Sequence, residues 1–140
     1  MKILIAVDGS AYTKRALGYV TAHDEMFGAR HEYTVFYGVL AVPHRAAAFA
    51  GQKLVRGYYD DEAESVFRPI RTFLKKQGIE ATYVHKVGHP AESIAALAER
   101  GKFDLLIMGS HGHGALVNLV LGSIATKVLA QCRTPVLLIR

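Results

Sequence analysis

The sequence is poor in cysteine, and Cys132 is the only one among its 140 residues. A single cysteine excludes an internal disulfide and any metal site built from several cysteines. This usage fits a reducing compartment, in which thiols stay unpaired. Because Cys132 lies in a segment with an apolar pattern, we expect it to be a buried, unreactive thiol.

Long apolar runs are also missing. No window approaches the roughly 18 apolar residues that a membrane span requires. The run Ile3–Val7 near the start is too short for the apolar core of a signal peptide. Internal repeats, linkers and low-complexity segments are absent as well. A chain of 140 residues with 51% hydrophobic content then predicts one soluble, cytoplasmic domain over residues 1–140.

Acidic residues are outnumbered by basic ones. The 17 lysines and arginines against 12 acidic residues give a formal charge of +5. A basic balance favours anionic partners such as nucleotides. The cations are spread along the chain, however, so an ordinary basic domain without a polyanionic partner fits the same composition. We expect neither a nucleic acid nor a membrane as a partner.

Short apolar runs alternate with amphipathic segments. The runs predict strands at Lys2–Val7, Glu32–Val42, Phe103–Met108 and Pro135–Ile139, and the apolar–polar alternation of Ile79–Val87 predicts one more. Helical spacing predicts helices from Ser10 or Thr13 to about Phe27, and at Tyr58–Gln77, Ala91–Arg100 and Ser123–Gln131. This alternation predicts a single doubly wound α/β domain, with a five-stranded, mainly parallel sheet and helices on both faces. In such folds ligands bind beyond the carboxyl ends of the strands.

Three features interrupt these patterns. Gly38 within the second strand predicts a bulge, or a place where a ligand or another backbone comes close. Pro69 within the second helix predicts a kink or a split. The segment His44–Gly57 fits either a flexible loop or a short helix, and its basic residues could reach a bound anion or remain solvated.

The richest chemical signal is a glycine-rich stretch after the fourth strand. Gly109, Gly112 and Gly122-Ser123 follow the pattern G-x-x-G-x9-G-S, with hydroxyls at Ser110 and Ser123. The chain contains neither the G-x-x-x-x-G-K-[ST] loop nor the G-x-G-x-x-G dinucleotide fingerprint. Glycines before a helix let the backbone approach a phosphate, and the helix N-terminus attracts an anion. A tight connection without a ligand is the alternative, but it does not require Gly122-Ser123 at this spacing.

Motifs over nearly the whole chain resemble the universal stress protein family, and specifically its ATP-binding branch. They are the strand that ends in Asp8 with Ser10 after it, Val87–Pro90, Asp104–Gly112, Leu121–Ser123 and Pro135–Ile139. The glycine spacing is the mark of the nucleotide-binding members. The resemblance implies a Rossmann-like fold of the adenine nucleotide alpha hydrolase type.

The resemblance also implies roles for individual residues. Ala6, Val7 and Asp8 would line the adenine and ribose end, with Asp8 close to the sugar or a metal. Val39 would contact adenine through its backbone. The ribose and phosphates would be wrapped by Met108, Gly109 and Gly112, and the outer phosphates held by Gly122, Ser123 and Ile124. Members of this branch bind ATP with Mg²⁺ or Mn²⁺, and they often form homodimers through the last strand, here Val136–Ile139.

Two histidines in the glycine-rich stretch have open roles. His113 stands where many family members carry Arg or Lys, and a neutral imidazole would bind phosphate less strongly, which would make nucleotide affinity depend on pH. His111 and His113 are spaced like metal ligands, but no carboxylate or cysteine lies near them in sequence, so we expect ordinary loop residues.

Three functional classes follow. The first is a nucleotide-binding stress or signalling protein whose ATP occupancy changes its shape or partners. The second is a slow ATPase or autophosphorylating enzyme, for which the sequence lacks a phosphate-loop lysine, an arginine finger and a motif that positions a nucleophile. The third is a structural dimer module without a ligand. We favour the first class, with cyclic AMP as an alternative adenine ligand and no catalytic residue assigned.

Overall fold

The computed structural model describes residues 1–114 and 118–140, so residues 115–117 of the glycine-rich loop lie outside the description. Within these ranges one sheet is formed by β1 (Lys2–Val7), β2 (Glu32–Val39), β3 (Ala81–Val87), β4 (Leu105–Gly109) and β5 (Val136–Ile139). The spatial order is β3-β2-β1-β4-β5, and every neighbouring pair is parallel. The predicted doubly wound α/β fold is confirmed.

Helices cover both faces of this sheet. They are α1 (Ala11–Ala22), α2 (Asp24–Phe27), α3 (His44–Ala50), α4 (Gln52–Lys76), α5 (Pro90–Arg100) and α6 (Ser123–Gln131). One core lies between the sheet and α1, α2 and α4, and includes Leu17, Phe27 and Leu74. The second core lies between the opposite face and α5 and α6, and includes Ile94 and Val128. In the described ranges no helix is both long and apolar enough to cross a bilayer.

Several element boundaries differ from the sequence predictions. The first helix stops at Ala22, and α2 follows as a separate turn. The second strand ends at Val39 instead of Val42, because its neighbour β3 ends at the paired Val87 and offers no further ladder. Cys132 is partly exposed instead of buried.

The region after β2 is more helical than the sequence indicates. The segment read as a loop or a short helix contains all of α3 and the first turns of α4. Pro69 does not split α4, which runs without interruption for 25 residues. The buried stripe of Ala63, Phe67 and Leu74 on both sides of Pro69 packs on the sheet, and this packing holds the helix together despite the missing backbone hydrogen bond.

The chain reverses its direction of winding beside β1. It passes from β1 outward through β2 to β3, then crosses to the other side of β1 for β4 and β5. The loops after β1 and β4 therefore leave the sheet in opposite directions, and a crevice opens between them at the carboxyl ends of these two strands.

Candidate functional site

A cleft of about 380 Å³ lies at the carboxyl edge of the sheet, where β1 and β4 end side by side. One wall is the turn that follows β1. A second wall is the glycine-rich loop and the first turn of α6, and a third is formed by Gly38 and the start of α5 at Pro90. The cleft therefore occupies the switch point that the topology creates.

Asp8 is held by the turn after β1. Its carboxylate Oδ1 accepts hydrogen bonds from the Ser10 N–H (2.9 Å) and from the Thr13 hydroxyl (3.0 Å). The Asp8 N–H donates in turn to Thr13 Oγ1 at 3.0 Å. Gly9, with φ +78°, makes this turn possible, because other residues rarely adopt that conformation. Within residues 1–114 and 118–140 Oδ2 has no hydrogen-bond donor, so this oxygen can accept one from a ligand.

The three motif glycines lie in tightly packed positions inside the protein. A Cβ on Gly109 would lie 2.6 Å from Tyr12 Cβ, and one on Gly112 would lie 2.6 Å from Asp8 Oδ2. A Cβ on Gly122 would lie 3.1 Å from the His111 Cα. The loop closes on itself where the Gly122 N–H donates to the Ser110 carbonyl at 2.8 Å. A tight connection therefore accounts for these glycines, and glycine content does not by itself identify a ligand.

The first turn of α6 indicates a ligand site more strongly than the glycines do. Gly122 precedes the helix, and no side chain caps its N-terminus. The first N–H groups of any helix have no partner within the helix and carry partial positive charge. Here Ser123, Ile124 and Ala125 line the cleft. N–H groups of this kind suit an anion.

Two histidines fix the loop to its surroundings. Because a carbonyl only accepts, His111 Nε2 donates to the Leu119 carbonyl (2.7 Å), and His113 Nε2 donates to the Asp8 carbonyl (2.8 Å). The Ser110 hydroxyl then donates to His111 Nδ1 at 2.8 Å, and the His111 ring packs beside Tyr12. No group of three or more His, Cys, Asp or Glu in the described residues could hold a metal ion by itself.

Most of the predicted site residues are brought together by the fold. The cleft is lined by Ala6, Val7, Asp8, Met108, Gly109, Gly112, His113, Gly122, Ser123 and Ile124. Val39 and Ser110 do not line it. Val39 is buried in the core, where its carbonyl accepts the Gly88 N–H, and Ser110 is buried beneath His111.

Other lining residues were missed from the sequence. Thr13 supports Asp8 from the first turn of α1, and Pro90 and Ile94 contribute the start of α5. Gly38 confirms the expected close approach of another backbone, since a Cβ there would lie 2.9 Å from Pro90 Cα, and its pairing in the sheet is continuous without a bulge. The signal that could have found Pro90 is its place in the turn after β3, which reaches the same sheet edge.

The described lining of the cleft lacks the positively charged side chains that an anion site usually has. No lysine or arginine of the described residues lines it. Tyr37, also in the wall, donates its hydroxyl to Glu62 Oε1 at 3.2 Å. Burial, and then the Glu62 carboxylate, raises the pKa of Tyr37 to about 12, so this hydroxyl remains neutral. An anion here would be held by backbone dipoles and histidine side chains.

A second cavity of about 580 Å³ lies on the opposite face of the sheet, between α1 and α4. It shares Asp8, Thr13, Tyr37 and His113 with the cleft, but its described lining is largely apolar and includes none of the motif glycines. Although this cavity is larger, the smaller cleft is the candidate site, because only there does the N-terminal turn of α6 line the space.

Comparisons with known proteins agree with this fold. The model of the universal stress protein family matches residues 1–140. A universal stress protein of Thermus aquaticus is 35% identical, over 99% of this chain and 97% of its own length. The solved structure of MJ0577 from Methanocaldococcus jannaschii superposes with a TM-score of 0.82 at 28% identity, over 99% of this chain and 94% of that chain.

Solved members with bound nucleotides share the same fold. Universal stress proteins were solved with dAMP (Archaeoglobus fulgidus, 20% identity, TM-score 0.67), with AMP (Arabidopsis thaliana, 15%, 0.70) and with cAMP (19%, 0.64). Each covers 99% or more of this chain and 91% or more of its own. With a family model matched from the first residue to the last and a relative at 35% identity, the chain belongs to the universal stress protein family.

Proposed function

We propose that the cleft binds an adenine nucleotide, with ATP as its ligand, and that the chain is a nucleotide-dependent module in a cytoplasmic stress-response or signalling process. The observation that carries this proposal is the uncapped N-terminus of α6, whose first turn lines the cleft together with Asp8. A helix N-terminus suits a phosphate, and a carboxylate oxygen accepts a hydrogen bond from a ribose hydroxyl. The nucleotide complexes of relatives in the same family support the choice of ligand class.

Different walls of the cleft would contact the phosphates, the ribose and the base of the ligand. In this proposal the N–H groups of Ser123 and Ile124, with the Ser123 hydroxyl, hold the phosphates. Asp8 Oδ2 accepts from the ribose. The apolar wall holds the base, and this wall is lined by Ala6, Leu40, Pro90, Ile94 and Met108.

A divalent cation would complete a triphosphate site. ATP carries several negative charges, and no lysine or arginine of the described residues lines the cleft. The site therefore fits a Mg²⁺ or Mn²⁺ ion that arrives on the phosphates and gains at most one carboxylate, from Asp8, in the manner that Mg²⁺ prefers. We expect ATP affinity to fall at least about tenfold when EDTA replaces Mg²⁺, whereas AMP affinity, with less charge to neutralise, changes little.

The direct test is to heat the purified protein and identify the released nucleotide by absorbance and mass. Recovery of intact ATP supports binding without turnover. Recovery of ADP alone favours a slow ATPase or an autophosphorylating enzyme. If no nucleotide is recovered, titration calorimetry with ATP and Mg²⁺ decides, and the absence of binding there would refute the proposal.

A member that prefers cyclic AMP is the second candidate. One structural neighbour was solved with cAMP, and a ligand with a single charge suits a cleft without lysine or arginine among its described residues. Calorimetry with ATP and Mg²⁺, ADP, AMP and cAMP separates the two candidates. Binding of cAMP at least about tenfold tighter than that of ATP with Mg²⁺ would favour the second.

We also propose that the chain forms a homodimer through β5. This strand pairs only with β4 in the described chain, and all four of its residues are partly exposed. An open apolar edge strand is a surface that proteins usually cover. Two copies related by a twofold axis would pair their β5 strands antiparallel and extend the sheet across the interface.

A further inference from the structure

A basic helical arm projects from the domain after β2. We define the arm as residues 44–58, that is, α3 and the first two turns of α4. None of the α3 side chains is buried. The base of the arm is fixed to the domain, because the Val42 N–H donates to the hydroxyl of Tyr59 at 2.8 Å. The arm therefore begins at a fixed point and leaves most of its side chains in solvent.

Large apolar side chains are concentrated on this arm. Phe49 is 98% exposed, Leu54 67% and Tyr58 52%. Isolated exposed apolar residues are normal on protein surfaces. Three within ten residues, including a phenylalanine that makes almost no contact with its own chain, indicate a surface that contacts something else.

The same arm carries only positive formal charge. Arg45, Lys53 and Arg56 are exposed, and no acidic residue occurs between Glu32 and Asp60. These three cations make up more than half of the net charge of +5. Exposed Phe and Leu beside Lys and Arg is the composition of helices that lie in a membrane interface. The charge excludes a basic partner and favours an anionic one.

We propose that the arm docks on an anionic lipid surface, with Arg45, Lys53 and Arg56 at the headgroups and Phe49 and Leu54 inserted among them. A lipid surface suits this arm better than an acidic protein does. The side chain of Phe49 is bare, and neither the cleft nor the cavity between α1 and α4 includes a residue of the arm. A bare aromatic side chain inserts into a soft interface, whereas a protein partner would have to supply a pocket for it.

The arm would attach the domain to the surface of a membrane without crossing it. The expectation of no membrane partner was drawn from the missing membrane span and from cations that are spread along the sequence. It does not consider the apolar side chains that the fold exposes beside three of those cations. The docking surface is also separate from the nucleotide proposal, since no residue of the arm lines the cleft.

The test is sedimentation of the full chain with lipid vesicles, one set of phosphatidylcholine and one with about a third phosphatidylserine. We expect binding to the anionic vesicles only, and loss of binding in high salt. Replacing Arg45 and Lys53 by Gln should lower the partition coefficient about 25-fold, because each surface cation contributes about fivefold. The matched control replaces Lys75 and Lys76, at the other end of α4, by Gln and changes the net charge equally.

A second pair of variants tests the apolar contact. Phe49→Ala should lower the partition coefficient roughly tenfold, while Met26→Ala, on the exposed part of α2, should leave it unchanged. Binding to neither vesicle, equal binding to both, or equal losses in the arm and control variants would overturn the proposal. Self-association that depends on Phe49 without lipid, measured by light scattering, would overturn it too and would assign the surface to a second copy of the chain.

Discussion

Gly112 lies in the glycine-rich loop beside the carboxylate of Asp8. A methyl group there would lie 2.6 Å from Asp8 Oδ2, the oxygen that we assign to the ribose. Gly112→Ala must therefore displace either the carboxylate or the loop. We expect the affinity for ATP with Mg²⁺, measured by calorimetry, to fall at least about tenfold, which is about 1.4 kcal/mol.

Gly18→Ala provides the control for this variant. Gly18 lies inside α1 with no atom within 4 Å of the added methyl group. Alanine should leave nucleotide affinity unchanged and should raise the free energy of unfolding by about 0.5–1 kcal/mol through helix propensity. Equal ATP affinity in Gly112→Ala and the wild type would show that the ligand does not use Asp8 in this position.

His113 is the residue at which this chain departs from the basic side chain of many relatives. Its Nε2 donates to the Asp8 carbonyl, and its ring lines the cleft. Arginine would bring a permanent charge beside the phosphates, and a hydrogen bond from a charged donor is about twice as strong as a neutral one. We expect His113→Arg to bind ATP several-fold more tightly at neutral pH.

Calorimetry at neutral pH compares this variant with the wild type. An unchanged affinity of the variant at neutral pH would contradict a phosphate contact at this position.

At the scale of the element, β5 exposes one side of its backbone. The Pro135 carbonyl accepts from the Leu106 N–H, and the Ile139 carbonyl accepts from the Ser110 N–H. In a parallel pair the residues alternate in the direction of their hydrogen bonds, so Leu137 faces β4 and Leu138 directs its N–H and carbonyl away from it. The proposed dimer depends on these outward groups.

Leu138→Pro removes one outward N–H and keeps the ladder to β4. We expect the variant to fold and to elute as a monomer in size-exclusion chromatography with light scattering, because proline is tolerated on the free side of an edge strand. Leu137→Pro, which removes a hydrogen bond to β4, should instead lower the free energy of unfolding. A folded Leu138→Pro protein that remains dimeric would place the interface elsewhere.

The elements also show what the sequence can and cannot predict. Short apolar runs predicted four strands, because burial on both faces leaves a continuous apolar signal in β1 and β4. The fifth, β3, was predicted from its apolar–polar alternation. The ends of the strands are harder to predict from local sequence. For example, β2 stops where its neighbour β3 stops, which depends on pairing between segments that are distant in sequence. For the helical arm the sequence left a flexible loop and a short helix open, because exposed side chains remove the periodic burial that indicates a helix.

The residues of the site could likewise be predicted only where a local sequence pattern marks them. Asp8 and the motif glycines were predicted because they lie in the loops after β1 and β4. Thr13 and Pro90 line the cleft through the arrangement of α1 and α5, and no local pattern marks them. The contact of the Val39 backbone with adenine was expected from the family resemblance. Val39 is buried, its carbonyl accepts the Gly88 N–H, and it does not line the cleft, so this contact stays a prediction.

At the scale of the whole molecule, buried tyrosines couple folding to alkaline pH. Tyr33 is 2% exposed, and its hydroxyl donates to the Gly28 carbonyl at 3.2 Å. Burial raises the pKa of Tyr33 to about 12, and burial together with Glu62 raises that of Tyr37 to about 12. In the unfolded chain both hydroxyls return to about 10. The folded protein therefore keeps protons that the unfolded chain loses above that pH.

The difference in tyrosine pKa between the folded and the unfolded protein determines how stability changes with pH. The contribution of both tyrosines to stability is fully present below about pH 10 and is lost as the pH rises from about 10 to about 12. Urea unfolding at about pH 8, 10 and 11 should show a falling midpoint, with tyrosine ionisation followed by absorbance. Tyr33→Phe and Tyr37→Phe should each flatten this fall, whereas Tyr58→Phe, at a ring that is 52% exposed, should not. A midpoint that falls as steeply in both variants as in the wild type would place the alkaline instability in other groups.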